Sequence, residues 1–183
     1  MEFVNPAIRG HAYLSIPGVV RTALHGGVAD DLLARHARGE KIQELEIAWH
    51  CVRADRVDEG RPFILSGARE ALDQGAPHEV ELALRTGMDL LEESEKTRAT
   101  LLLAEAVGEV GRWEEAMEIL ADRMPLASPE ERVEFDALHL LFRVRNNEPN
   151  TATTEDILGQ ATDILAAPVA LPARLHAATA GAL

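Results

Sequence analysis

Residues 64–84 read ILSGAREALDQGAPHEVELAL, and residues 100–120 read TLLLAEAVGEVGRWEEAMEIL. In both stretches, two apolar segments with helical spacing are joined at a glycine, Gly75 in the first and Gly111 in the second. Glycine adopts the left-handed conformation that ends a helix without steric cost. Each stretch therefore predicts a helical hairpin, and the two hairpins are 36 residues apart.

The two hairpins also match in side-chain size. Ala68 and Leu84 in the first stretch recur as Ala104 and Leu120 in the second, and a third unit follows at a spacing of 34, at residues 134–141. Small residues at such positions predict close helix approaches, and large aliphatic residues predict the filling of the hairpin. This pattern resembles a tetratricopeptide-like repeat, although the best-known Trp and Tyr positions hold other residues. The resemblance implies an all-α fold, a right-handed superhelix of antiparallel helical hairpins with a concave binding surface.

Helical periodicity extends over the rest of the chain. Gly and Pro residues interrupt it at short intervals, and only a short strand at Glu2–Val4 departs from it. Ser128 and Glu131 predict a capping box, and Thr153 with Asp156 a weaker one. The pattern predicts helices at residues 6–14, 18–38, 40–54, 57–74, 77–93, 95–110, 113–124, 129–146, 154–167 and 171–181.

Composition and charge limit the classes of function. The chain has 183 residues and a net charge of −13, and its single cysteine, Cys51, excludes a disulfide framework. Residues 41–150 hold 24 acidic and 13 basic residues, whereas residues 1–40 hold four of each. An acidic surface repels phosphate backbones and anionic lipids, so we expect no direct nucleic acid binding and no membrane binding by this chain. With no secretory signal pattern, the expected location is cytoplasmic.

The N-terminal segment carries a second resemblance. Phe3–Arg9 reads FVNPAIR, Tyr13–Ile16 reads YLSI, Arg21–His25 reads RTALH, and Glu44–His50 reads ELEIAWH. In order and spacing these stretches resemble the end of the winged-helix region and the start of the helical sensor region in large ATP-binding LuxR-family transcriptional regulators. The resemblance implies that residues 1–38 form a winged-helix-like joint and that residues 39–183 form a tetratricopeptide-like array, truncated at the C-terminal end.

Two departures from that family are visible. The family has a histidine that touches the nucleotide phosphate where this chain has Asn5, which carries no charge, and this puts nucleotide sensing through the position in doubt. No phosphate-binding loop occurs in the chain. We therefore expect a segment of a larger regulator that binds no cofactor of its own.

The strongest binding candidate lies on the predicted inner helices of the repeats. Phe135, His139 and Phe142 follow at i, i+4 and i+7, and arginines flank them, so the group could recognise a carboxylate or phosphate. The alternative is that the two Phe rings only fill the gap to the next helix. The candidate binding residues are Arg98, Arg132, Phe135, His139, Phe142 and Arg143, with Leu101 and Glu105 sharing the predicted concave face.

No residue pattern indicates catalysis or a metal site. The histidines lack chelating pairs, Cys51 is expected to be a buried apolar residue, and Trp49 and Trp113 are expected in the core. The predicted function is a non-catalytic sensor or scaffold segment of a LuxR-family regulator. It would bind a protein or small-molecule inducer, contact the rest of the regulator, and possess apolar end faces that could form a homodimer. The alternative is a free-standing adaptor that binds a peptide or protein in its groove.

Overall fold

The chain folds into helices and, among the residues described, contains no strand. The computed structural model describes residues 6–146, 154–171 and 173–180. The all-α prediction is confirmed, while the predicted strand at Glu2–Val4 lies outside these residues. The helices are α1 Pro6–Ser15, α2 Gly18–Ala37, α3 Glu44–Arg53, α4 Val57–Gly60, α5 Pro62–Asp73, α6 Pro77–Gly87, α7 Glu93–Glu109, α8 Trp113–Arg123, α9 Pro129–Asn146, α10 Thr154–Ala166 and α11 Ala173–Ala180.

Some helix boundaries differ from the prediction for local reasons. The predicted helix 57–74 is divided into α4 and α5 because Pro62 begins a new helix and has no N–H to continue the old one. The predicted helix 77–93 is shorter in the structure, because α6 ends at Gly87 and a 3-10 turn, Met88–Leu90, follows it. The predicted capping box at Ser128 is confirmed. Ser128 Oγ accepts a hydrogen bond from the backbone N–H of Glu131 at 3.2 Å, and the Glu131 carboxylate accepts one from the backbone N–H of Ser128 at 2.8 Å.

Four helix ends share one turn. Gly39, Asp55, Gly75 and Gly111 have φ between 59° and 83°, and the residue after each donates its N–H to a carbonyl five residues earlier. After Gly75, the N–H of Ala76 bonds Ala71 O at 2.9 Å. This is the hydrogen-bond pattern of a Schellman ending. The three glycines are spaced by 36 residues, so the period seen in the sequence corresponds to a repeated backbone turn.

The chain divides into two compact units, residues 1–70 and 71–183, and the division falls within α5. These units differ in extent from the predicted segments 1–38 and 39–183, and that domain assignment stays a prediction. In the first unit α3 packs against α2 and α4. Its core consists of Ala29, Leu32, Ile42, Ile47 and Cys51, with Leu33 and Phe63 packed against them.

Small residues allow helices of the first unit to approach closely, as predicted. A Cβ atom added at Gly67 in α5 would lie 2.5 Å from the backbone N of Leu45 in α3. One added at Gly60 would lie 2.8 Å from the Cβ of Cys51. At both places a side chain would force the backbone apart.

The second unit is built around α7. This helix packs against α6, α8 and α9, and every residue from Ala99 to Gly108 is buried. A helix that is buried on all sides is central to a core rather than one wall of an open groove. A further cluster joins α9 to α10 and consists of Ala137, Leu140, Ala161 and Ile164.

A ring of four charges connects α6 to the start of α8. Glu81 forms ion pairs with Arg112 and, at 2.9 Å, with Arg85. Glu115 forms ion pairs with the same two arginines, and its distance to Arg112 is 3.0 Å. The pKa of Glu81 is lowered, because the two arginines outweigh the desolvation of its carboxyl group. Each charge therefore has two partners of opposite sign.

Candidate functional site

The two predicted binding phenylalanines lie in the interior. Phe135 is 0% exposed and Phe142 is 1% exposed. The ring of Phe142 lies directly against Gly108 of α7, where an added Cβ would be 2.5 Å from the ring Cζ. Both rings are therefore buried, and the Phe142 ring fills the contact between α9 and α7, in agreement with the alternative interpretation. Leu101 and Glu105, placed on the predicted concave face, are buried as well.

The three polar members of the predicted site on α9, and the neighbouring Asp136, which was not part of it, remain at the surface of the helix. Arg132 and Asp136 are exposed, and His139 and Arg143 are half-buried. Their spacing of i, i+4, i+7 and i+11 places them on one face of the helix. At 1.5 Å per residue the two arginines are separated by about 16 Å along the axis. We call Arg132, Asp136, His139 and Arg143 the α9 stripe.

The two arginines of the α9 stripe contact neutral acceptors. Arg132 Nη2 donates to the Met124 carbonyl at 3.2 Å, and Arg143 Nη1 donates to Gln160 Oε1 at 3.1 Å. Neither contact cancels the positive charge, so both guanidinium groups can attract an anion. Arg98, the remaining predicted residue, differs because its guanidinium is in an ion pair with Glu134.

Asp136 adds a carboxylate between the two arginines of the α9 stripe. Desolvation raises the pKa of its carboxyl group, and the nearby charges of Arg132 and His139 oppose this. A carboxylate between two arginines on one face repels an anion at the centre and leaves the two ends attractive. The geometry therefore favours a ligand with two separated acidic groups.

Three further sequence predictions can be compared with the structure. Cys51 is fully buried, and burial raises the pKa of its thiol, as expected of an apolar core cysteine. Trp113 is half-buried, and its indole Nε1 is buried without a hydrogen-bond partner. The core assignment of Trp49 is wrong, because this side chain is 47% exposed.

Trp49 instead covers a hydrogen-bonded cluster in the first unit. Tyr13 Oη lies 2.8 Å from His25 Nε2, and His25 Nδ1 lies 3.1 Å from His50 Nδ1. The Trp49 ring contacts both imidazoles edge-on, with centroid distances of 4.7 and 4.8 Å. Helices α1, α2 and α3 each supply part of this tyrosine–histidine cluster, which consists of Tyr13, His25, Trp49 and His50.

The cluster favours neutral imidazoles. Burial lowers the pKa of His25, with contributions from the positive charges of Arg53 and Arg21. Burial and the neighbouring His25 lower the pKa of His50, against a smaller opposite effect of Glu46. Between two neutral rings one Nδ1 donates and the other accepts, whereas two imidazolium ions would direct N–H groups at each other. The hydrogen bonds therefore depend on at least one neutral ring.

The sequence showed no chelating pair among these histidines and gave no reason to group them. The signal that could have grouped them is the resemblance itself, because Tyr13, His25, Trp49 and His50 all belong to the stretches that carry it. Arg21, from the same stretches, lies over the Tyr13 ring at 5.2 Å and donates to the Leu14 carbonyl. The position of Asn5 lies outside the described residues.

Comparison with known proteins gives no assignment. No protein-family model, curated protein or solved structure matches the chain. In the part of the chain that the structure describes, no three His, Cys, Asp or Glu residues are grouped so that they could hold a metal ion. None of the helices described has the length and apolar character needed to cross a bilayer.

Proposed function

We propose that this chain is a non-catalytic binding segment, a sensor or scaffold of an ATP-dependent LuxR-family transcriptional regulator. The proposal includes a tetratricopeptide-like right-handed superhelix formed by the hairpins from residue 39 onward. The equal turns at Gly39, Gly75 and Gly111 support it, since a fixed period of 36 residues is typical of stacked helical hairpins. The meeting of Tyr13, His25 and His50 in one cluster supports the family resemblance, because three separate stretches carry these residues.

The α9 stripe is the observation that carries the binding function. Its two arginines are about 16 Å apart along the helix axis, and each donates a hydrogen bond to a neutral oxygen. An extended peptide advances about 3.3 Å per residue, and its successive side chains point to opposite sides. Acidic residues four positions apart, about 13 Å, would therefore both face the stripe, and the long arginine side chains would reach them. The preferred ligand is therefore an extended peptide segment with acidic residues at both ends and a neutral or basic centre opposite Asp136.

A fluorescence anisotropy titration tests this function. The probe is a set of labelled seven-residue peptides with Glu at positions 2 and 6 and either Lys or Glu at position 4, so that all three side chains point to the same side. Arg132→Ala and Arg143→Ala should each weaken binding of the Lys-centred peptide by about 3- to 10-fold, the range of an accessible charge-assisted pair. The Glu-centred peptide should bind less tightly than the Lys-centred one.

Arg145→Ala is the matched control. Arg145 is on the same helix but on another face, where it pairs with Glu109 at 3.5 Å. Its replacement should leave the affinity unchanged. Equal losses in all three variants, or none in any, would contradict recognition by the α9 stripe.

The free-standing adaptor remains the alternative, and the α9 stripe would serve it equally well. The coding frame separates the two functions. A frame that extends upstream through a phosphate-binding loop supports the regulator, and an in-frame stop codon directly before Met1 supports the adaptor.

A further inference from the structure

Helix α2 has an apolar face that the described residues of its own unit leave exposed. Val20, Leu24 and Val28 follow at i, i+4 and i+8 and are 46%, 57% and 40% exposed. The small residues Ala23 and Gly27 lie beside them and are exposed as well. Ala29 and Leu32, on the other side of the helix, are buried in the core. This orientation of α2 about its axis leaves Val20, Leu24 and Val28 facing outward.

The face is symmetric about Leu24. Val20 and Val28 lie four residues on either side of it, at about 6 Å along the axis. When two such helices pair antiparallel around a two-fold axis through Leu24, Val20 of one copy meets Val28 of the other and the two Leu24 side chains meet each other. A surface that complements itself in this way is what a two-fold interface requires.

The charges at the two ends of the face complement each other in the same arrangement. The N-terminus of α2 at Pro17 has no side-chain cap, and its first turn contains no acidic residue. Asp31 has a 66% exposed side chain and a long contact of 3.6 Å to Arg35. Pro17 and Asp31 both lie seven residues from Leu24, so antiparallel pairing brings the Asp31 carboxylate level with the positive N-terminus of the other helix.

We propose that this face binds a second copy of the same chain, through an antiparallel pair of α2 helices around Leu24. A parallel pair would place Asp31 beside Asp31 and one N-terminus beside the other, which is unfavourable at both ends. Contact over three helical turns is small for a protein interface, so the dimer is a weak and concentration-dependent one. This dimer does not depend on the proposed regulator function or on the α9 stripe.

Sedimentation-velocity ultracentrifugation over about 1–500 μM chain tests the dimer. The unmodified chain should shift from monomer to dimer across this range, a window typical of small interfaces. Leu24→Glu should weaken the association at least about 10-fold, because it would bury two facing carboxylates. The matched control is Leu82→Glu in α6, where the leucine is 67% exposed, and it should leave the association unchanged.

Cysteine cross-linking tests the direction of the helices. The native Cys51 is fully buried and should not react. Leu24→Cys should give a disulfide-linked dimer on mild oxidation. A mixture of Val20→Cys and Val28→Cys chains should cross-link mainly as 20-to-28 pairs, whereas a parallel arrangement would give 20-to-20 and 28-to-28 pairs.

Asp31→Asn tests the charge contact. Each dimer contains two such contacts, so the dissociation constant should rise between about 3-fold and 30-fold at low salt, and the effect should shrink as salt is added. A chain that stays monomeric at 500 μM, an association that Leu24→Glu does not change, or exclusive 20-to-20 cross-links would each overturn the proposal.

Discussion

Gly108 on α7 is the position where a single added methyl group has the clearest consequence. An alanine Cβ there would lie 2.5 Å from Cζ of Phe142, whereas ordinary contacts of this kind begin at about 3.4 Å. The ring would have to retreat by about 1 Å, but it is buried on all sides at 1% exposure. Forcing extra volume into a packed core costs about 1–3 kcal/mol.

The helix itself gains from the same change. Replacing glycine by alanine within a helix stabilises it by about 1 kcal/mol. Since two atoms of the Phe142 ring lie within 2.5 Å of the new Cβ, the cost should fall near the upper end of the overpacking range. We therefore expect Gly108→Ala to lower the free energy of unfolding by about 1–2 kcal/mol, measured by urea denaturation followed by circular dichroism.

Gly159→Ala is the matched control for this prediction. Gly159 lies in the middle of α10, and an added Cβ would have no atom within 4 Å. Here only the gain in helix propensity remains, so the free energy of unfolding should rise by about 0.5–1 kcal/mol. The same substitution should thus have opposite signs at the two positions.

A double variant identifies the cause. Phe142→Leu removes part of the ring that the new methyl group would strike, and alone it should cost about 1 kcal/mol. Combined with Gly108→Ala, it should be less destabilising than the sum of the single variants by at least about 1 kcal/mol. Additive effects, or stabilisation by Gly108→Ala alone, would refute the packing argument.

Three further predictions concern the turns, the histidines and the ion-pair ring. Asp55→Gly should raise the free energy of unfolding by about 0.5–1 kcal/mol in urea denaturation, because the φ of 59° at this position costs a non-glycine residue energy. In thermal melts, lowering the pH from about 7.5 to about 5.5 should destabilise the first unit. Folding lowers the pKa of His25, so below about pH 6.5 this histidine is protonated more readily in the unfolded chain than in the folded one. His25→Phe should reduce that dependence, and replacement of the exposed His78 by Ala should not. Arg112→Ala should lower the free energy of unfolding by about 0.5–1 kcal/mol at low salt, because it removes two ion pairs of the ring, and by less in about 0.5 M NaCl. Arg145→Ala removes one long ion pair and should have a smaller effect.

The sequence predicted local structure well because its signals are local. Glycine at positions 39, 75 and 111 determined the helix ends, and proline at positions 77 and 129 determined helix starts, through backbone geometry alone. Asp55 escaped notice as a turn residue because aspartate adopts positive φ less readily than glycine.

The candidate site was predicted only in part, because burial depends on contacts between helices distant in sequence. A period of i, i+4 and i+7 shows that Phe135, His139 and Phe142 share a region of α9, but not that both rings are buried or that α7 packs against Phe142. Likewise His25 and His50 are 25 residues apart, and no local pattern places one imidazole beside the other. Trp49 was assigned to the core, yet its ring packs edge-on against two imidazoles and is 47% exposed.

The complete burial of residues 99–108 in α7 has a consequence during synthesis. Residues 99–108 contain one ionisable side chain, Glu105, and they need α8 and α9 to cover them. Helix α9 ends 37 residues after α7, and at about 5–20 residues per second a ribosome needs about 2–7 s to add that length. For those seconds the nascent chain presents an apolar segment of ten residues that α8 and α9 do not yet cover, and chaperones bind exposed apolar surface of this kind.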